Sequence, residues 1–145
     1  MDLGGYLLQC SSCGTVAVVS PHRTDAPNRC TRCGAPLVAG HCMPAEVDEP
    51  DWEPAVLAGG HPAVVVVLSP ACDVCADYRI SVRRMAVSLY GRARVFEMNA
   101  DRNPGILERY GVPGVPAVLL VRDGQVVAVL PGPQGESGIR RRLGL

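Results

Sequence analysis

The sequence predicts an α/β domain, a central mixed β-sheet flanked by helices, with a small cysteine-rich module ahead of it. Three observations carry this expectation. Strand-like and helix-like apolar patterns alternate from residue 46 to the end. The first forty residues hold only one sustained apolar stretch, V-A-V-V-S, too little for a core. Those same residues hold four of the seven cysteines, so a staple such as a metal is the expected substitute for a core.

The 145 residues suit one ordinary domain, or a small domain plus a tiny one. With 14 basic and 14 acidic residues the net charge is zero, which argues against a nucleic-acid partner held by a charged face. A hydrophobic fraction of 48% suits a globular core. The 16 Gly and 13 Pro are spread among apolar segments and read as turn punctuation, not disorder. The longest apolar run, Ala63 to Leu68, is far short of the ~20 residues that cross a bilayer, so no membrane partner is expected. The N-terminus, M-D-L-G-G-Y-L-L-Q-C, lacks a basic region and a cleavage site, which points to the cytoplasm. Thiols stay reduced there, so the cysteines read as metal ligands or redox groups, and their odd number sets one apart.

The segment from His41 to Pro54 is acidic and Pro-bearing, a linker leading into the second unit. E-V-D is a candidate short strand. Asp48 or Asp51 is placed to cap a short helix through Ala58, stopped by Gly59-Gly60. Ala63 to Leu68 is β-branched without alternation, as in a strand buried on both faces. Val74, Tyr78, Val82, Met85, Ala86 and Leu89 have near-helical spacing, and Gly91 ends that helix. Arg94 to Met98 is a second strand, and Asn103 to Tyr110 a short helix with Pro104 in its first turn. Ala117 to Val121 and Val126 to Leu130 are strands joined by R-D-G-Q, a hairpin signal. Glu136 to Leu143 is an Arg-rich closing helix.

Cys10-x-x-Cys13 and Cys30-x-x-Cys33 are separated by 16 residues, within the spacing of four-cysteine zinc sites. Two thiolates on a tight turn occupy two corners of a tetrahedron, and a second such turn supplies the other two. Gly14 and Gly34 follow the pairs directly and let the backbone curl its N–H groups toward the sulfurs. Four protein ligands close the coordination shell, so one structural Zn²⁺ per chain is the expected cofactor. The competing reading is four reduced thiols in a flexible tail. His22 and His41 read as surface residues.

Cys72 and Cys75 lie in S-P-A-C-D-V-C-A, just past the apolar strand. Three readings are open: a redox pair, half of a metal site, or two inert buried thiols. The metal reading needs two further ligands, and Cys42, His41 and His61 offer no pair at ligand spacing. For the redox reading, Cys72 sits where the next helix begins, and unpaired helix N–H groups favour a thiolate there. Cys72 would attack a substrate disulfide, and Cys75, one turn deeper, would resolve the mixed disulfide.

At these motifs the chain resembles the zinc-binding, two-domain bacterial thioredoxins of the thioredoxin 2 type. R-C-T-R-C-G-A-P-L-V-A-G is similar to the second half of that family's zinc module. N-A-D-R-N-P-G-I-L-E-R-Y-G-V-P-G-V-P-A-V-L-L-V-R-D-G-Q-V-V is similar to its thioredoxin core. The resemblance implies a thioredoxin fold preceded by a zinc-ribbon-like module, with residues 1–40 as the zinc module and 41–145 as the thioredoxin-like domain. It implies reduction of protein disulfides, with disulfide-containing proteins as substrates and a thioredoxin reductase or similar electron donor. It places a cis proline on Pro116, leaving the backbone of Val115 free to pair with an extended substrate. Read from composition alone, Val112 to Pro116 is an ordinary loop before a strand.

The chain departs from the family's W-C-G-P-C: the flanking Trp is missing and the motif is Ala71-Cys72-Asp73-Val74-Cys75. The family's buried Asp falls on Val66 and its companion Lys on Glu97, so a water or Glu97 must serve the resolving thiol, or exchange is slow. Asp73 sets negative charge beside the attacking sulfur and disfavours its thiolate. Cys42 reads as a bystander or a regulatory thiol, and Trp52 as a packing residue. Tyr78, Tyr90, Phe96 and Tyr110 sit at core-like positions, and Arg140-Arg141-Arg142 on a solvated helix face. The rival functions are a redox-inactive or redox-sensing thioredoxin-fold binding module or holdase, and metal transfer or storage.

Overall fold

The computed structural model describes residues 4–145; the first three residues, which belong to the expected zinc module and to the segment read for a signal peptide, lie outside the described residues. The cysteine-rich segment is built from two similar knuckles. Strand β1 (Tyr6–Gln9) pairs antiparallel with β2 (Val16–Val19), and β3 (Asn28–Arg29) with β4 (Pro36–Leu37). In the first turn the Cys10 N–H donates to the Thr15 carbonyl and the Gly14 N–H to the Cys10 carbonyl, both at 2.9 Å. The second turn repeats this with Cys30 to Ala35 at 2.8 Å and Gly34 to Cys30 at 2.9 Å. Gly14 and Gly34 have φ of 78° and 76°, a left-handed conformation that a Cβ would strain. A third strand, β5 (Cys42–Met43), pairs with β1, so the module's sheet includes residues beyond 40.

The larger unit is a five-stranded mixed sheet in the order β10-β9-β7-β8-β6. Its strands are β6 (Ala45–Glu46), β7 (Ala63–Leu68), β8 (Arg94–Asn99), β9 (Ala117–Arg122) and β10 (Gln125–Pro131). β8 runs parallel to β6 and β7, while β9 is antiparallel to β7 and β10. Every residue of β7 is buried, as its unbroken β-branched run requires. Its odd and even residues serve different cores. Val64, Val66 and Leu68 face the helices α1 (Asp73–Ser88) and α3 (Glu136–Leu143). Val65 and Val67 face Trp52, Phe96 and α2 (Pro104–Tyr110). The D-G signal forms the β9–β10 turn, with φ of 53° at Asp123 and 76° at Gly124.

Two expectations are corrected. The helix expected up to Ala58 is a narrow turn at Glu49–Asp51 followed by a wide π-type helix, Trp52–Leu57, in which the Ala58 N–H reaches the Glu53 carbonyl at 3.0 Å. Pro50 and Pro54 offer no N–H to the regular α ladder. Val74 is 53% exposed, not on the buried face: the α1 stripe is Cys75, Tyr78, Val82, Met85 and Ala86, and Val74 stands about 100° away from Cys75.

The two units share a core. Tyr6, Leu8, Val19, Leu37 and Cys42 belong to the same cluster as Val82, Met85 and Leu89. The Tyr6 hydroxyl is 2.7 Å from His61 Nδ1, and its ring meets Tyr90 edge-on at 5.0 Å. Arg94, 2% exposed, ties the same corner together. Its guanidinium donates to the carbonyls of Gly4, Ala55, Val56 and His61 and lies over the Phe96 ring. Arg94→Met would leave those buried carbonyls without a donor and is expected to cost about 3 kcal/mol, read as a lower urea midpoint at unchanged slope. A midpoint equal to wild type would show that Arg94 does not hold this corner.

Candidate functional site

Cys72 and Cys75 stand where β7 hands over to α1. Residues 69–71 make the turn, closed by the Cys72 N–H donating to the Ser69 carbonyl at 3.2 Å. Cys72 is extended, with φ −101° and ψ 113°, and caps the helix that starts at Asp73. Its Sγ accepts from the Cys75 N–H at 3.1 Å, one of the orphan donors of the first helical turn. The two cysteines are joined as a disulfide, with Cα atoms 5.2 Å apart. Cys75 is buried and Cys72 partly exposed, so Cys72 is the sulfur more open to solvent. The Val115–Pro116 peptide is cis, Pro116 is buried, and Val115 packs at the rim of the cluster on which Cys72 also leans.

Beside the pair lies a cleft of about 460 Å³, bounded by Leu68, Cys72, Arg79, Ile80, Glu97 and Met98. Val66 is fully buried and pairs in register with Glu97 across the β7–β8 ladder. Glu97 is held by Arg79 Nε at 2.9 Å, with 14% of its side chain exposed. The cleft and its arginines went unread in the sequence; the signal was Ile80, an apolar residue on the charged face of α1 one turn from Arg83.

Cys10, Cys13, Cys30 and Cys33 are all free thiols, and their Sγ atoms lie within 4.8 Å of one another. Cys10 and Cys33 are 3.6 Å apart, Cys13 and Cys30 3.5 Å. A metal with bonds of about 2.3 Å to four sulfurs would hold them about 3.8 Å apart, so the set fits a tetrahedral ion. The knuckle N–H groups favour thiolates. Those of Cys13 and Ser12 hold Cys10 below the usual thiol range, and those of Cys33 and Arg32 bring Cys30 down to about 6. At Cys33 the Ala35 N–H also favours the thiolate, yet the sulfurs of Cys10, Cys13 and Cys30, with burial, push it up to about 12. Four sulfurs this close cannot all ionise unless a cation takes up the charge. His41 is outside the cluster: its Nε2 is 3.1 Å from Ser11 Oγ and its Nδ1 accepts from the Val38 N–H at 3.0 Å.

Cys42 stands apart from both groups. It is buried at the seam between the units, and burial pushes its thiol up to about 12. Burial raises the Tyr6 and Tyr90 hydroxyls there as well, despite the Arg94 charge beside Tyr6. A raised folded-state pKa means that these groups stabilise the fold below their unfolded values. Their contribution falls as pH rises from about 9 toward 12. Urea midpoints are therefore expected to drop between about pH 8 and pH 11, with a shallower drop in Cys42→Ala. An equal drop in that variant would remove Cys42 from the account.

The model of the thioredoxin family matches residues 43–144. Thioredoxin of Rhodospirillum rubrum is 30% identical over 87 residues, covering 60% of this chain and 84% of that protein. Chloroplastic thioredoxin M4 of Arabidopsis thaliana is 26% identical over 101 residues, 67% of this chain, and the match spans 52% of the Arabidopsis protein. A solved mutant thioredoxin of Halobacterium salinarum superposes with a TM-score of 0.62 at 24% identity, over 70% of this chain and 88% of that one, a likeness of fold. The family match spans well over half of the residues, and the chain belongs to the thioredoxin family.

Proposed function

We propose that this chain is a thiol–disulfide oxidoreductase that reduces protein disulfides through Cys72 and Cys75. The carrying observation is a bonded C-x-x-C at a helix N-terminus in a thioredoxin-family chain, with the sulfur of its outer cysteine accepting the Cys75 N–H. In the reduced form that N–H and the helix dipole favour a Cys72 thiolate, while Asp73 in the first turn opposes it. The Cys72 thiolate attacks a substrate disulfide, breaks its S–S bond and expels one substrate thiolate. Cys75 loses its proton and attacks the Cys72 sulfur of the mixed disulfide, which expels the second thiolate. Two electrons have then passed to the substrate, and a thioredoxin reductase or similar donor restores the dithiol. Val115, beside cis Pro116, offers its backbone to an extended substrate segment.

The cysteine-rich module, read as residues 1–40 and completed in its sheet by Cys42–Met43, serves as a zinc module for the thioredoxin-like domain that follows. Cys10, Cys13, Cys30 and Cys33 hold one Zn²⁺, the usual ion for four thiolates at this spacing; when bound it cross-links the two knuckles and leaves no position for a substrate. The cytoplasm, where thiols stay reduced, is the setting that suits both cysteine groups. No helix of the described residues is long and apolar enough to cross a membrane.

A second reading, a binding module or holdase without turnover, draws on Val66: the position that would supply a buried acid beneath Cys75 is apolar. Insulin reduction driven by dithiothreitol separates the two. Wild type is expected to be active and Cys72→Ser to fall to background; two equal traces at background would favour the binding module. Purified protein is expected to carry one zinc per chain by mass spectrometry, lost in Cys30→Ser. Chelation of wild type should lower its thermal midpoint. Protein that is metal-free and unchanged by chelator would remove zinc from the account.

A further inference from the structure

We infer that the redox site prefers disulfides carried on basic segments: Asp73 and Asp77, with Asp101 across the turn, receive a Lys or Arg side chain that flanks the substrate cysteine. This rests on the redox reading of Cys72 and Cys75 and names the substrate class for that site. Three observations point to it.

First, the carboxylates beside Cys72 lack cations. Asp73 follows Cys72 directly in the chain, and Asp77 stands one turn further along α1; both are exposed, and neither carboxylate makes an ion pair or hydrogen bond among the described residues. Side chains on a helix meet at three and four positions' distance. For Asp77 those neighbours are Asp73, Val74, Ile80 and Ser81, and for Asp73 within α1 they are Ala76 and Asp77, so no basic residue is among them. Asp101 accepts from the Ser69 hydroxyl at 3.3 Å, which sets it beside the turn into Cys72, and it too has no ion pair among the described residues.

Second, nothing else around Cys72 offsets them. In the cleft, Glu46 and Glu97 are matched by Arg79 and Arg83, and Arg102 outside it is taken by Asp48 at 2.8 Å. On the other side, residues 112–116 and 131–135 carry no charge, and the two loops are joined by the Gly132 N–H donating to the Pro116 carbonyl at 2.8 Å. The chain as a whole is neutral, so the acidic surplus at the attacking sulfur is local and is not outweighed at long range.

Third, Val74 lies 53% exposed next to Asp73 and one turn before Asp77. A Lys or Arg side chain has an apolar stem and a charged head, and this surface offers an apolar patch bordered by carboxylates.

In the reaction the Cys72 thiolate forms an S–S bond to the docked peptide and breaks the peptide disulfide; the distal peptide leaves as a thiolate and takes a proton from solvent. Cys75 loses its proton and displaces the docked peptide as its thiolate. The dithiol is oxidised by two electrons, and dithiothreitol in the assay reduces it again.

The test uses the full chain with three symmetrical disulfides of one size: N-acetyl-Cys-Lys amide, its Gln analogue and its Glu analogue, with insulin as the protein substrate. Each kcat/KM is divided by the rate constant for dithiothreitol alone on that peptide, which removes the effect of the flanking charge on the peptide's own sulfur. At low salt the value for Lys is expected to exceed that for Gln by roughly fivefold, the scale of one or two exposed ion pairs, with Glu below both. In about 1 M salt, where the screening length is about 3 Å, the series should flatten. Asp73→Asn should bring the Lys-to-Gln ratio below about twofold, Asp77→Asn and Asp101→Asn should lower it less, and Asp73→Lys should invert the series in favour of Glu. Equal values for all three peptides with insulin still reduced would overturn the preference while leaving the redox reading intact. So would a lower thermal midpoint in Asp73→Asn with an unchanged Lys-to-Gln ratio, the result expected if Asp73 serves only the helix start. No reduction of insulin or of any peptide would overturn the redox reading and this inference with it.

Discussion

The fold depends on how α1 is buried. Its stripe of Tyr78, Val82, Met85 and Ala86 packs onto the β7 residues Val64, Val66 and Leu68, and the N-terminal module joins the same cluster through Leu8, Leu37 and Cys42. The module has no core of its own: its buried apolar side chains number too few, and its strands β3, β4 and β5 are two residues each. The larger unit supplies the apolar surface it packs on, and the two knuckles bring their four thiols within 4.8 Å of one another. The same helix carries Cys72 at its start, so the packing that holds the module also holds the Cys72 sulfur in place. Arg94 reinforces that seam from the far end, taking carbonyls from the segment before β1, from the π-type helix and from His61.

The electrostatics around Cys72 are mixed. The Cys75 N–H and the helix terminus favour the thiolate, and Asp73 disfavours it. Beneath the pair, Val66 places a fully buried apolar side chain where proton transfer from Cys75 would otherwise find an acid. Glu97, next in register and opening on the cleft, is an ionisable group on that side, though its carboxylate is engaged by Arg79. These features bear on the rate and potential of exchange more than on whether a disulfide can form.

Most elements were legible because each had a local cause. The unbroken β-branched run reads as a doubly buried strand, D-G as a tight turn, and the two C-x-x-C-G sequences as knuckles of one cluster, against the rival of four thiols in a flexible tail. What stayed unread had non-local causes. The third strand of the module pairs Leu7 and Leu8 with Met43 and Cys42, over thirty residues away, on two residues of no particular propensity. Arg94 looked like the charged start of a strand, and nothing beside it in sequence showed that four carbonyls would converge on it. The π-type helix arises from two prolines whose effect on width, as opposed to existence, has no periodic signature. The cleft is made by β6, β7, β8 and α1 together, so no one segment shows it, although both of its arginines, Arg79 and Arg83, lie on α1.

Three C-x-x-C pairs of identical spacing end in two different arrangements, four converging free thiols and one disulfide, and the backbone decides which. In the first two, a glycine with positive φ follows the second cysteine, and the turn brings both sulfurs toward the other knuckle. Each knuckle then presents two thiols and needs two more, which the other supplies at 3.5 and 3.6 Å. In the third, Asp73 begins a helix of 16 residues immediately after the first cysteine. Helical geometry places residue 75 one turn below residue 72, so the sulfurs face each other and, among the described residues, no second pair joins them in a cluster. Of its own cysteines, one lies buried against the core and the other stays partly exposed. A metal cluster requires sulfurs that converge on a common centre; disulfide exchange requires one sulfur within reach of its partner and open to solvent. Those two requirements are met by a turn and a helix start respectively, on the same four-residue spacing.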